Sequence, residues 1–366
     1  MGTSAEYASA GATALQRGEA SKAQELFAQA AAGDVVAALD RLLSVEPRNI
    51  LALIRRADCF AATGDTRSAS AFYLMAIRSA PPKGVSPEAV QELARARQIC
   101  DKFAAEYADY LKQSLAAKGF DEKHSSPRFA QSVDIVLGKK RIYLQEPKYY
   151  YFPGLPQVQF YEREQFPWLD DVEAATDDVR AELEAVLRDP GTFAPYVQGH
   201  ANRPYKTQMG MLNNPAWSAF YLWKNGEVVP ENAARCPKTM HALRNAPLAR
   251  VRHRSPSVLF SLLRPGAHIP PHNGLINTRL ICHLPVIVPG NCRFRVGNDE
   301  REWVEGKAWA FDDTIEHEAW NRSQETRVIL LFDVWRPELT EQERAAVIAL
   351  FEAIDAHSGK KPEWEI

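Results

Sequence analysis

The most constraining stretch of this 366-residue chain runs from Ser261 to Trp335. Short runs rich in Val, Ile, Leu and Phe, such as RLICHLPVIV and RVILLFDVW, alternate there with Pro, Gly and Asn at strand-plus-turn spacing. This pattern predicts an antiparallel β-domain. Polar residues interrupt the apolar runs: His268, His272, His283 and His317, with Arg279 and Arg327 inside strands. A charge buried without a partner is costly, so these side chains need a task. Period-two alternation sorts them by face. Arg279, Ile281 and His283 share one face of their strand, opposite Leu280, Cys282 and Leu284. Arg327 lies on the face opposite Val328, Leu330 and Phe332. A small barrel with a ligand-filled interior turns such polar groups inward.

Two spacings refine the fold. His317 and Asn321 form an H-x-x-x-N pattern of the kind found in the second half of a cupin barrel. His272 lies one half earlier, after the Pro265-Gly266 turn and the Pro270-Pro271 pair, which suits two His meeting at one mouth of a double-stranded β-helix. Residues 1–118 differ in kind, being Ala-rich and helical in pattern. Pro47 and Pro81 stand 34 residues apart, the period of a tetratricopeptide repeat. Between them Ala57, Phe60, Gly64, Ala69, Tyr73 and Ala76 occupy the small and aromatic positions of such a repeat. The preceding segment, residues 16–47, is a degenerate version, and an ordinary helical bundle remains the competing reading. A further helix is expected from Pro87 to Lys118, with Ala89, Val90, Leu93, Ala94 and Ile99 as its apolar stripe.

The polar, turn-rich residues 119–140 are read as a linker. Helices are expected over Asp170–Leu187, burying Val172, Leu183, Val186 and Leu187, and over Thr340–His357, where T-x-x-E forms a capping box. Gly191 to Pro215, carrying Tyr196, His200, Asn202, Arg203 and Tyr205, reads as loop. The expected class is therefore α+β, a helical-repeat module (1–118) and a linker (119–140) preceding a jelly-roll or cupin-like double-stranded β-helix (141–366).

Segments of this chain resemble the aspartyl/asparaginyl β-hydroxylase family of iron- and 2-oxoglutarate-dependent oxygenases. They are PGAHIPPHNGLINTRLICHLP, FDDTIEHEAW and RVILLFDVWRP, preceded in order by YFPGLP (151–156), FPW (166–168) and WSAFYLWxxGxxxxEN (217–232). The similarity covers roughly Tyr149 to Pro337. It implies hydroxylation of the β-carbon of Asp or Asn in a peptide or protein, with Fe(II), 2-oxoglutarate and O2 as cofactor and co-substrates. It also implies His272 and His317 as metal ligands. Iron oxygenases of this kind commonly add a carboxylate two residues after the first His. Here Gly274 stands in that place, as is normal in the family, with water filling the gap.

By the same resemblance, Arg327 binds the distal carboxylate of 2-oxoglutarate and Ser261 adds a hydroxyl to it. His283 lies near the keto-acid end, and Arg279 matches a basic residue of its strand. Relatives often carry a second basic residue two positions further on, where this chain has Ile281. A structural ion pair between Arg327 and Asp333 or Glu325 is the alternative use of that cation. Asp312 and Asp313 suit a turn or a position behind the ligands. Trp217, Trp223 and Trp320 are candidate pocket residues.

Composition argues mainly by exclusion. With 46% hydrophobic and 25% charged residues and a formal net charge of −2, nothing favours nucleic acid or an anionic membrane as a partner. No apolar run reaches about 18 residues, and the N-terminus lacks a basic region followed by an apolar core, so neither a span nor a signal peptide is expected. Five scattered Cys without a C-x-x-C pair suit free thiols in a reducing cytoplasm. The helical repeats suggest a polypeptide substrate. Three other functions share the motifs: an H-x-G iron/2-oxoglutarate halogenase, a non-catalytic barrel with an interaction module, and a cupin isomerase or sugar-binding protein.

Overall fold

The computed structural model describes residues 2–121, 124–199 and 210–358. The chain divides into two compact units, Met1–Lys139 and Lys140–Ile366. The first is helical: α1 (Ser4–Gln16), α2 (Ala20–Phe27), α3 (Ala32–Val45), α4 (Ile50–Ala62), α5 (Thr66–Ser79), α6 (Pro87–Ala116) and α7 (Pro127–Val136). Local chemistry sets several starts. Thr3 and Glu6 form a capping box on α1, Asn49 caps α4 and Asp65 caps α5. Ser86 and Ser126 cap α6 and α7, each followed by Pro in the first turn.

Between Pro47 and Pro81 the chain forms a helix hairpin, α4 packing on α5. Ala57, Ala69 and Ala76 are fully buried at its interface, where a larger side chain would hold the backbones apart. Helix α6 then covers both, and Arg95 on it makes two 2.9 Å bonds to Asp58 of α4. Upstream, α1 packs on both α2 and α3. Two expectations need correction. Helix α6 buries Ala89, Leu93 and Ala96, whereas Val90 and Ala94 face solvent. The stretch read as linker contains α7, because Ser126-Pro127 starts a helix the turn-rich composition had hidden.

The second unit contains α8 (Leu169–Ala174), α9 (Thr176–Leu187), β1 (Ala194–Pro195), β2 (Trp217–Lys224), β3 (Glu227–Val228), α10 (Pro230–Arg235) and α11 (Pro237–Ala242). Then follow β4 (Val258–Leu263), β5 (His268–His272), β6 (Arg279–Ile287), β7 (Cys292–Val296), β8 (Asp299–Glu302), β9 (Trp309–Phe311), β10 (His317–Asn321), β11 (Arg327–Trp335) and α12 (Glu341–Ser358). The helix expected over Asp170–Leu187 is broken between Ala174 and Thr176, and Leu187 is exposed rather than buried. The capping box at Thr340 forms as expected, each partner receiving the other's backbone N–H. Of the Gly191–Pro215 loop, His200, Asn202, Arg203 and Tyr205 lie outside the described residues.

The strands form two antiparallel sheets, β1-β2-β4-β11-β6-β9, with β3 on β2, and β5-β10-β7-β8. From β4 onward the chain passes back and forth between them. Pairs β4·β11 and β6·β9 lie in the larger sheet, with β5·β10 and β7·β8 in the smaller. This is the connectivity of a double-stranded β-helix. The period-two pattern predicts its faces correctly. Leu280, Cys282, Leu284, Val328, Leu330 and Phe332 pack outward against α8 and α9. Ile281, Ile329 and Phe294 fill the space between the sheets with Ile269 and Phe311.

One buried polar knot joins the barrel to its N-terminal approach. Arg336, just past β11, bonds Asp312 at 2.8 Å, and both side chains are wholly buried. Arg336 also donates to the carbonyls of Asn277 and Pro156 and to the Tyr161 hydroxyl. Asp312 accepts from Gln145 and, at the start of its turn, from the backbone and hydroxyl of Thr314. Removing one partner of a buried pair strands the other charge. Asp312→Ala is therefore expected to lower the stability of this unit by about 3–5 kcal/mol in urea or thermal unfolding.

Candidate functional site

Strands β5 and β10 place His317 directly across from His272. Their ring centroids are 4.1 Å apart and tilted by 52°. In each ring Nδ1 meets a backbone carbonyl two residues earlier, Pro270 at 2.8 Å and Ile315 at 3.0 Å. A carbonyl can only accept, so each Nδ1 carries the proton and each Nε2 keeps its lone pair. Burial holds both imidazoles in that neutral form: His272 lies well below its usual range, and His317 is lowered to about 4. Two neutral imidazoles with fixed tautomers suit a divalent metal. Among the described residues no third His, Cys, Asp or Glu completes a metal-binding cluster with them.

The glycine after His272 has a steric reason in this chain. A Cβ on Gly274 would come within 2.1 Å of an Asp313 carboxylate oxygen. Asp313 thus occupies the space that a side chain two residues beyond His272 would need. It pairs with Arg279 at 3.1 Å, and Arg279 also lies 3.5 Å from Asp333. Burial raises both carboxyls, with Arg279 opposing, and Asp333 reaches about 6.

Arg279, Asp313 and Asp333 line a cavity of about 100 Å³ between the sheets, together with His272 and His317. Ser261, His283, Trp303 and Arg327 line the same cavity. Arg327 is 1% exposed. Its guanidinium donates to the Ser261 carbonyl at 3.3 Å and lies over the Trp303 ring at 4.7 Å. No carboxylate pairs with it among the described residues, and its Nε has no hydrogen-bond partner. Burial lowers it to about 10. The Ser261 hydroxyl accepts from Trp217 Nε1 at 3.1 Å, so its own proton is available to the cavity. Trp217 in turn stacks on Tyr196, centroids 4.0 Å apart.

Residues 173–337 match the family model described as aspartyl/asparaginyl beta-hydroxylase. Human aspartyl/asparaginyl beta-hydroxylase is 40% identical over 136 residues, 37% of this chain and 18% of that protein. The ornithine lipid ester-linked acyl 2-hydroxylase of Rhizobium tropici is 35% identical over 187 residues, 50% of this chain and 62% of that one. Aspartate beta-hydroxylase domain-containing protein 2 of Xenopus tropicalis is 29% identical over 214 residues, covering 57% and 55%. Residues 173–337 are therefore similar to the aspartyl/asparaginyl β-hydroxylase family. The chain spans less than two thirds of the length of each of these relatives.

Within this β-hydroxylase-like domain the structure brings His272, His317, Arg279, His283, Ser261 and Arg327 to one cavity. Ile281 lines it as well, so an apolar side chain faces the interior where relatives often carry a base. His268 does not join them. It stacks on Trp320 and bonds Glu318 at 2.8 Å, with 42% of its side chain exposed. Trp320 is thereby excluded from the cavity wall, and Trp223 packs under Arg250 instead. Asn321 of the H-x-x-x-N spacing closes the β10–β11 turn by donating to the Leu263 and Glu325 carbonyls. Sequence reasoning missed Trp303 and Tyr196. An E-W-V-E run carries no periodic signal, and Tyr196 lies in a loop.

Two measurements probe this arrangement. Gly274→Ala is expected to cost about 1–3 kcal/mol by overpacking against Asp313, and markedly less in an Asp313→Gly background. Equal costs in both backgrounds would remove the steric account. His317 titrates lower folded than unfolded, so its contribution is complete above about pH 6.5 and is lost as pH falls toward about 4. His317→Gln should therefore flatten part of the stability loss over that window, by up to about 3 kcal/mol in metal-free protein.

Proposed function

We propose that this chain is an Fe(II)- and 2-oxoglutarate-dependent hydroxylase acting on the β-carbon of Asp, Asn or a related side chain in a peptide or protein. The observation that carries the reading is Arg327, a buried cation with no carboxylate partner among the described residues, in a cavity that also holds two metal-ready imidazoles. A buried charge of this kind is costly unless an anion meets it, and a guanidinium suits a carboxylate. The Ser261 hydroxyl would add a second donor to that carboxylate. His272 and His317 would hold the metal through Nε2. Iron with 2-oxoglutarate and O2 supplies the oxidising power to insert one oxygen atom into a C–H bond, releasing succinate and CO2. The apolar walls formed by Ile269, Ile281, Phe294 and Phe311 keep water from that chemistry.

Arg279 has its charge already met by Asp313 and Asp333, so it is proposed to order the cavity's polar edge as well as to touch co-substrate. The helical unit is proposed to contact the polypeptide. The five cysteines are free, as a reducing cytoplasm favours, and no helix among the described residues is long and apolar enough to cross a membrane. A second reading, hydroxylation of a lipid acyl chain, is favoured by Ile281 facing the cavity and by the similarity to the Rhizobium acyl 2-hydroxylase. The halogenase alternative is disfavoured because the place beside Gly274 is taken by a carboxylate, which repels a halide. The sugar-binding and non-catalytic alternatives give no use for the unmet charge on Arg327.

The decisive assay incubates the protein with iron, 2-oxoglutarate and either a peptide library or acyl lipids, reading succinate and a product heavier by one oxygen, about 16 Da. His272→Ala and His317→Ala are each expected to abolish Fe(II) binding, whereas Asp313→Ala retains it. Arg327→Ala should weaken 2-oxoglutarate binding by about 2–5 kcal/mol, and Ser261→Ala by about 1 kcal/mol. Wild-type iron affinity in His317→Ala would remove the metal assignment. Unchanged 2-oxoglutarate turnover in Arg327→Ala would return Arg327 to a structural role.

A further inference from the structure

Trp303 follows β8 and is 5% exposed inside the barrel. Its ring is held by Phe294, with centroids 5.5 Å apart, and by Trp309, at 6.1 Å and nearly parallel. It touches two of the cavity's polar groups at once. Its Nε1 donates to His283 Nδ1 at 3.4 Å, and its face lies under the Arg327 guanidinium at 4.7 Å. An indole N–H can only donate. His283 must therefore accept at Nδ1 and carry its proton on Nε2. Burial keeps that ring neutral, with the nearby Arg327 charge acting in the same direction.

The consequence is a group of donors on the cavity wall: Arg327 N–H groups, the Ser261 hydroxyl proton and the His283 Nε2–H. Trp217 donates to the Ser261 oxygen, which leaves the hydroxyl proton free to donate as well. The other His283 tautomer would aim a lone pair at an incoming carboxylate, turning attraction into repulsion. The indole face meanwhile offsets part of the desolvation of a guanidinium that has no carboxylate partner among the described residues.

We propose that Trp303 is the positioning residue for 2-oxoacid recognition, holding His283 as an Nε2–H donor and seating Arg327 on its ring. This rests on the reading of His283 and Arg327 as co-substrate contacts. The test separates the two steps. Nitrogen-15 NMR of histidine-labelled, metal-free protein reads the His283 tautomer directly, with His283→Gln assigning the signal. Titration of 2-oxoglutarate into protein loaded with redox-silent Zn(II) reads recognition without turnover. Wild type should show one Nε2–H tautomer. Trp303→Phe, which keeps a ring face but loses the N–H, should mix the tautomers and weaken 2-oxoglutarate binding by about five- to tenfold. Trp303→Leu, which loses the ring as well, should weaken it by about a further threefold or more.

Thermal unfolding monitors each variant, and the Phe variant alone suffices if the Leu variant does not fold. A Phe variant with unchanged tautomer and unchanged affinity overturns the role of Trp303 while leaving the co-substrate reading intact. A wild type that shows the tautomer and binds no 2-oxoglutarate overturns the co-substrate reading, and the recognition role falls with it.

Discussion

The site depends on the buried pair between Asp312 and Arg336, which lies in none of the contacts a ligand would make. Both side chains are removed from water, and an unsupported pair of that kind scarcely repays its desolvation. Here it is supported on every side: the carbonyls of Asn277 and Pro156, the hydroxyls of Tyr161 and Thr314, and the amide of Gln145. The pair ties the start of the turn from Asp312 to Glu316 to the end of β11. That turn delivers Asp313 into the notch left by Gly274 and brings His317 opposite His272. Strand β11, ending just before Arg336, carries Arg327 and Asp333 on its inner face. One polar knot thus sets the register of both halves of the site.

Two arginines enter the same barrel and meet opposite electrostatic fates. Arg279 is flanked by Asp313 and Asp333, so its charge is answered inside the protein. Among the described residues Arg327 has a carbonyl and an aromatic face and no carboxylate. The difference divides the lining of a single cavity into a self-compensated part and an anion-seeking part. Ile281 lines the cavity among these charges without adding one.

The helical unit solves a simpler problem. Ala57, Ala69 and Ala76 remove bulk from the α4–α5 interface, and the helices close on one another over Tyr73 and Leu53. Its polar centre is again an arginine, Arg95, which makes two bonds to Asp58 while Tyr73 donates to the same carboxylate. Small residues bring the backbones together, and the ion pair fixes how the third helix, α6, lies on the hairpin.

Much of this was legible in the sequence where the signal is local or periodic. Alternation in RLICHLPV and RVILLFDVW sorts the inward faces, because side chains on a strand have only two directions to point. The T-x-x-E box at Thr340 marks a helix start, since its hydrogen bonds span three residues. Local signals failed where they competed: Ser126-Pro127 starts a helix inside a turn-rich stretch, and Val90 lies on the exposed side of α6. Tertiary structure alone decided which arginine would be paired, why position 274 excludes a side chain, and that Trp303 reaches both His283 and Arg327. Each of these is a contact between residues far apart in sequence. Its energy depends on distance and desolvation, and no spacing along the chain encodes either.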